Sequence, residues 1–301
     1  MDRPGSPLLP LLMAAIGIAC FSVMDGVMKH VTLVIGAYNA MLWRQLAGIG
    51  LSGLPYAWRR QGWPVASTMR LHAQRGFVSA FMAFTFFYGI ARVPLAEGIA
   101  LSFIAPLITL YLAAIMLGEQ IGQRAVFASL LGIAGVAVIL AGRLGATDYD
   151  REALIGIGAI FISALLYAYN LILQKKQAML AGPFEVAFYQ SIFAFATLAA
   201  AAPFLAIWPP LNIWDDIAIA AGLAVFSLML LAWAYARAQA QILVSVEYTA
   251  FVWAAIFGWV FFREHVTLPM LAGTVLIVAG CIIAALQRPQ DKPDHIESAA
   301  L

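Results

Sequence analysis

Shifted by 145 residues, this sequence lies over itself. Ala91-Arg92 falls on Ala236-Arg237, Glu119 on Glu264 and Ala134-Gly135 on Ala279-Gly280; without a gap, the same shift carries Ala14 to Ala159, Gln45 to Gln190, Ala105 to Ala250 and Arg143 to Arg288. The chain reads as a duplication, so the repeated unit is what has to be explained first. Each copy holds five apolar runs, and an odd number of membrane crossings makes the second copy enter from the opposite side. The expectation is an all-α membrane protein of ten transmembrane helices in two inverted five-helix repeats, residues 1–145 and 146–288, followed by a mobile cytoplasmic tail, 289–301.

Runs of about 18 to 25 apolar residues suffice for a helical span. They fall near Leu8 to Met28, Ile35 to Ala57, Leu71 to Ala91, Leu95 to Leu117 and Ala125 to Gly142, then Ala153 to Leu173, Phe184 to Ile207, Ile217 to Ala236, Ile242 to Phe262 and Leu268 to Leu286. Composition agrees: 63% of residues are hydrophobic and 11% charged, with a mean hydropathy of +0.90, against roughly a quarter charged in soluble domains. The first run is too long for a signal core and has a counterpart in the second copy, so it is read as a span.

Orientation follows from loop Lys and Arg. With the N-terminus in the cytoplasm, eleven lie inside (Arg3, Arg59, Arg60, Arg70, Arg75, Arg124, Lys175, Lys176, Arg237, Arg288 and Lys292) against five outside (Lys29, Arg92, Arg143, Arg151 and Arg263). Both termini are expected in the cytoplasm. The net charge of +2, carried in membrane-flanking loops, gives no support to a nucleic-acid partner. There is no P-loop, and Cys20 and Cys281 stand alone in apolar runs, which suggests neither a disulfide nor a zinc site. His30, His72, His265 and His295 form no metal pattern, so neither metal nor cofactor is expected.

The stretch Pro94 to Gly142, PLAEGIALSFIAPLITLYLAAIMLGEQIGQRAVFASLLGIAGVAVILAG, and its counterpart Ala240 to Ala284 resemble the drug/metabolite transporter superfamily in its EamA branch. The resemblance spans nearly the whole chain. It implies a secondary transporter, with bacterial exporters of aromatic amino acids as the nearest type. Rivals with the same fold are cofactor uptake, of riboflavin or S-adenosylmethionine, and broad efflux of amphipathic drugs.

Polar side chains at membrane depth cost about 2.5 to 3.5 kcal/mol on insertion scales and so face protein or a wet cavity. Glu247, five residues into the ninth run, is the first candidate for an ammonium group or a proton; its repeat counterpart is Ser102. Asp25 and Lys29, four apart, share a helix face with Ser22 and suggest a short ion pair or a substrate contact. Their counterparts, Asn170 and Gln174, with Tyr167 for Ser22, are polar and uncharged. Arg44, opposite Tyr189 in the repeat, needs a carboxylate or several acceptors. Arg92 and Arg237 read as caps of helix ends. Pro106 breaks a backbone bond at mid-depth and suggests a bend.

The resemblance points to the first, third and fourth spans and their copies as cavity walls. Phe84, Tyr88 and Phe103 in one half, and Tyr167, Trp233, Tyr248 and Phe251 in the other, then form an aromatic lining suited to an apolar side chain. No nucleophile, base and orienter stand at plausible spacing, so an enzyme is the distant alternative. The expected partners are a small-molecule substrate and the lipid bilayer. A monomer is expected, with a homodimer as the alternative.

Overall fold

The computed structural model describes residues 8–58, 62–117, 123–144, 151–178, 180–235 and 248–285. Along them run α1 (Leu8–Trp58), α2 (Ala66–Ile90), α3 (Leu95–Ser102), α4 (Ala105–Leu117), α5 (Gln123–Leu144), α6 (Arg151–Ala178), α7 (Pro183–Ala199), the single turn α8 (Ala202–Leu205), α9 (Trp214–Tyr235), α10 (Ala250–Phe262) and α11 (Leu268–Ala285). No strand occurs among the described residues. The surface is apolar: Phe127, Leu130 and Ile133 on α5 and Leu271 and Val275 on α11 are all exposed. Water would not tolerate such faces, whereas acyl chains do.

Among the described residues, three stretches are long and apolar enough to cross a membrane, Leu9–Trp58, Arg151–Gln174 and Leu211–Leu231; four shorter apolar helices accompany them, Leu95–Thr109, Val126–Gly142, Ala250–Phe262 and Leu268–Ile283. The first is 50 residues long, about 75 Å as one straight helix, more than twice a bilayer core. Gly36 breaks it into two arms. With φ 79° and ψ 156°, it adopts a backbone conformation that a Cβ would oppose. The two runs expected before and after residue 30 are these arms.

Two expected spans are interrupted, each by proline. A proline ring clashes with the carbonyl four residues back and brings no N–H. Pro106 therefore ends α3 at Ser102, and Pro203 ends α7 at Ala199. The fourth run is accordingly two helices joined by a turn at Phe103-Ile104, and the seventh stops short of Ile207. In the ninth run the described part begins with a turn at Tyr248-Thr249, 145 residues after Phe103-Ile104. No proline stands at that place in the second copy.

Among the packing pairs are α1 with α9 and α2 with α6, α4 with α6 and α1 with α10, α1 with α7, α2 with α7, and α5 with α11. In α5 and α11 glycine allows backbones to touch. A Cβ on Gly135 would lie 2.5 Å from the Gly273 carbonyl oxygen, and one on Gly280 would lie 2.6 Å from that of Ala128. These two approaches exchange under the 145-residue shift.

The expected loop position of Arg75 is corrected. It lies in α2, 5% exposed, where its Nε donates to Asn170 Oδ1 at 3.3 Å and its guanidinium donates to Gln177 Oε1. His72 adjoins it, hydrogen-bonded to Glu185 Oε1 at 3.0 Å and to Gln177, and stacked on Tyr189. This brace joins the start of α2, the end of α6 and the start of α7. Arg75 is therefore a packing residue and carries no weight in a count of loop charges.

Candidate functional site

Among the described residues, the buried charges sort into closed groups and one open pair. At the end of the first arm of α1, the Lys29 ammonium donates to Glu264 and, at 2.7 Å, to the Val93 carbonyl. Glu264 Oε2 accepts the Leu95 N–H at 2.7 Å, satisfying a donor that the first turn of α3 would leave free. Backbone geometry aims this carboxylate. Arg263 is left-handed (φ 57°), and its N–H bonds Trp259 O, the closure of an αL cap, while the Glu264 N–H bonds Gly258 O. The expected short pair of Asp25 with Lys29 is thus replaced by a knot joining α1, the α2–α3 turn, α3 and α10. Phe262 adds its ring, 5.1 Å from the ammonium.

Asp25 and Arg44 stand on the two arms of α1, Asp25 next in sequence to the Met24 that Arg44 reaches. Both are half-buried, and no ion pair within 4 Å joins them among the described residues. Arg44 Nη1 reaches the Met24 thioether at 3.4 Å, and its guanidinium lies 5.8 Å from the Phe87 ring centre. Its Nε is buried with no hydrogen-bond partner. Ser22, one turn before Asp25, is buried, 2% exposed.

The other expected site residues are dispersed. Phe84 and Tyr88 pack together on α2 with centres 6.0 Å apart, beside the Phe87 that underlies Arg44. Arg92 covers Tyr88 at 3.6 Å, donates to its carbonyl as an end cap, and pairs with Glu152 at 2.9 Å. Phe103 meets its own repeat counterpart Tyr248 edge-on at 5.3 Å, and Cys281 donates to the Phe103 carbonyl. The Ser102 hydroxyl donates back to Gly98 O. Tyr248 and Phe251 also line an apolar groove of about 330 Å³ with Leu271, Thr274, Val275 and Ile282. Exposed Val275 and Ile282 place that groove on the outer, lipid-like surface.

Tyr167 is partly buried against the core. Asn170 accepts from Arg75 and from Ser79, the latter at 3.0 Å, so the counterpart of Asp25 belongs to the brace. Trp233 packs beside Ala14 and Ala234 in a satellite cluster. Ala14 lies fifteen residues before Lys29, about 22 Å along the helix. Glu247, like Glu119 and Arg237, lies outside the described residues. Glu97, not singled out from the sequence, is buried in the first turn of α3, where a helix start favours a carboxylate. Its signal was a lone acid one turn after Pro94.

Against known proteins, the profile of the EamA-like transporter family matches residues 8–141 and again residues 154–286. The chain is 28% identical over 290 residues to the pseudopaline exporter CntI of Pseudomonas aeruginosa, covering 90% of this chain and 94% of that one. It is 26% identical over 208 residues to the S-adenosylmethionine uptake transporter of Rickettsia bellii, covering 69% of each. It is 23% identical over 253 residues to the aromatic amino acid exporter YddG of Ancylobacter novellus, covering 83% of this chain and 77% of that one. One solved structure superposes with a TM-score of 0.57 at 20% identity over 94% of this chain and 97% of the other, a likeness of fold.

Proposed function

The chain belongs to the EamA-like transporter family, and from that premise we propose that it is a ten-span inner-membrane carrier that exports amino acids or similar small metabolites by alternating access. The observation that carries the reading is the open pair of Asp25 and Arg44 inside an apolar bundle, a place where charge is kept at a cost unless it is used. The repeat reading is supported by the double family match and by packing pairs that exchange under the 145-residue shift. In a ten-span arrangement with cytoplasmic termini, the Lys29–Glu264 knot closes the external mouth, and the brace at His72 and Arg75 lies at the cytoplasmic end. Export is favoured by the relatives named as exporters, and an amino-acid-like cargo by the two charges and the Phe87 ring beside Arg44. Glu247 joins the site on its sequence position alone.

The deciding experiment is transport in proteoliposomes holding the purified chain, with labelled amino acids, riboflavin and S-adenosylmethionine, each with and without a pH gradient. Movement of amino acids supports the reading. Accumulation of S-adenosylmethionine or riboflavin with no amino acid moved in either direction replaces it with cofactor uptake. Glu247→Gln is expected to lower the rate at least about tenfold with folding intact. A rate within about twofold of the parent removes Glu247 from the site.

A further inference from the structure

We propose that Asp25 and Arg44 form a single clamp for a zwitterion, the substrate's ammonium resting on Asp25 and its carboxylate on Arg44. This rests on the reading of the chain as a carrier of small amino-acid-like metabolites. It goes further by assigning each end of the cargo to one side chain and by taking Lys29 out of recognition.

A guanidinium offers five N–H donors. In Arg44 a thioether takes one at 3.4 Å, the Phe87 ring lies under the plane, and Nε is buried with no partner. Asp25 accepts no hydrogen bond among the described residues. Two opposite charges at membrane depth lower their energy most simply by closing on each other. These two are held apart, one on each arm of α1, with the Gly36 break between them. A ligand with both charges satisfies both groups at once, whereas a simple cation or anion leaves one unanswered.

Neighbouring cations are already engaged: Lys29 by Glu264 and Val93, Arg75 by Asn170 and Gln177, Arg92 by Glu152 and Tyr88. The repeat points the same way. The counterparts of Asp25 and Arg44 are Asn170 and Tyr189, neutral residues within or stacked on the brace. The duplicated unit keeps a charged pair in one copy alone, as a single asymmetric substrate requires.

The test uses the full chain in proteoliposomes and counterflow of labelled L-phenylalanine, competed by L-phenylalanine, N-acetyl-L-phenylalanine and L-phenylalaninamide. Wild type is expected to bind each blocked analogue at least about tenfold more weakly than the parent, the usual scale for losing a charged hydrogen bond. Asp25→Asn is expected to lose discrimination against the acetylated analogue while keeping it against the amide. Arg44→Gln is expected to do the reverse. Equal competition by all three compounds in wild type overturns the clamp without any variant, as do variants that slow transport but leave both discrimination ratios unchanged. If wild type moves riboflavin and no compound that carries both an α-ammonium and an α-carboxylate, both the amino-acid reading and the clamp fall. If phenylalanine moves but the ratios are flat, the clamp falls alone.

Discussion

Lys29 lies four residues from Asp25, a spacing that brings two side chains to one face of an isolated helix. Its ammonium is nevertheless held by Glu264, 235 residues away, and by the Val93 carbonyl. Removing one member of a buried ion pair leaves the other uncompensated and costs about 3 to 5 kcal/mol, while replacing both by apolar groups costs far less. Lys29→Met and Glu264→Leu are each expected to lower the thermal midpoint in detergent. The double variant should recover most of the loss, and strictly additive losses would show that the pair is not coupled. The sequence showed which residues carry charge at membrane depth but could not show which charge meets which. The i+4 rule is local, and the partner that won arrives from another helix, aimed by the left-handed Arg263. Gly118, the counterpart of Arg263, is the residue such a cap prefers, and that was the available hint.

Among the elements, the sequence was most legible where it states its own interruptions. Pro106 and Pro203 end helices four residues upstream, as the lost donor and ring clash require. The bend expected at Pro106 is present, but a turn also stands at Tyr248-Thr249, where the second copy has no proline. Beside the proline, the packing of Phe103 on Tyr248 therefore also holds the turn. Pro106→Ala should then leave transport within about twofold of the parent; loss of function with intact folding would give the proline the leading part. Contact between α5 and α11 permits a sharper test. Gly135→Ala places a methyl group 2.5 Å from the Gly273 oxygen, overpacking of the kind that costs about 1 to 3 kcal/mol. Gly158→Ala, with nothing within 4 Å, serves as the control. Unfolding in detergent should lower the first midpoint and leave the second near the parent.

For the molecule as a whole, the duplication was legible because a fixed shift is visible in sequence. How the halves meet was not, since no local pattern encodes contacts between copies. The α2–α6 and α1–α9 pairs and the self-exchanging α5–α11 contact support the proposed relation of the two repeats. The proposed sidedness is testable by placing a cysteine between Thr147 and Asp150 in a chain with Cys20 and Cys281 replaced by serine. Impermeant reagent should label it from outside intact cells, and labelling from the cytoplasmic side alone inverts the arrangement.

In sequence, the knot at Lys29 has a different counterpart at the proposed cytoplasmic mouth. There the repeat sets Gln174, an exposed residue, in the place of Lys29 and Glu119 in the place of Glu264. A closure built on those residues would join a neutral amide to a carboxylate, a weaker tie than an ion pair. The unloaded carrier should therefore wait with its site turned to the cytoplasm, since population follows the energy difference between the two shut forms. Such a bias leaves the equilibrium of an uncoupled carrier untouched but not its rates: half-saturation should come at lower concentration from the cytoplasmic face, with maximal velocity shifted in proportion. Lys29→Gln, by making the two mouths alike, should draw the two half-saturation constants together, and vesicles of known orientation can measure both.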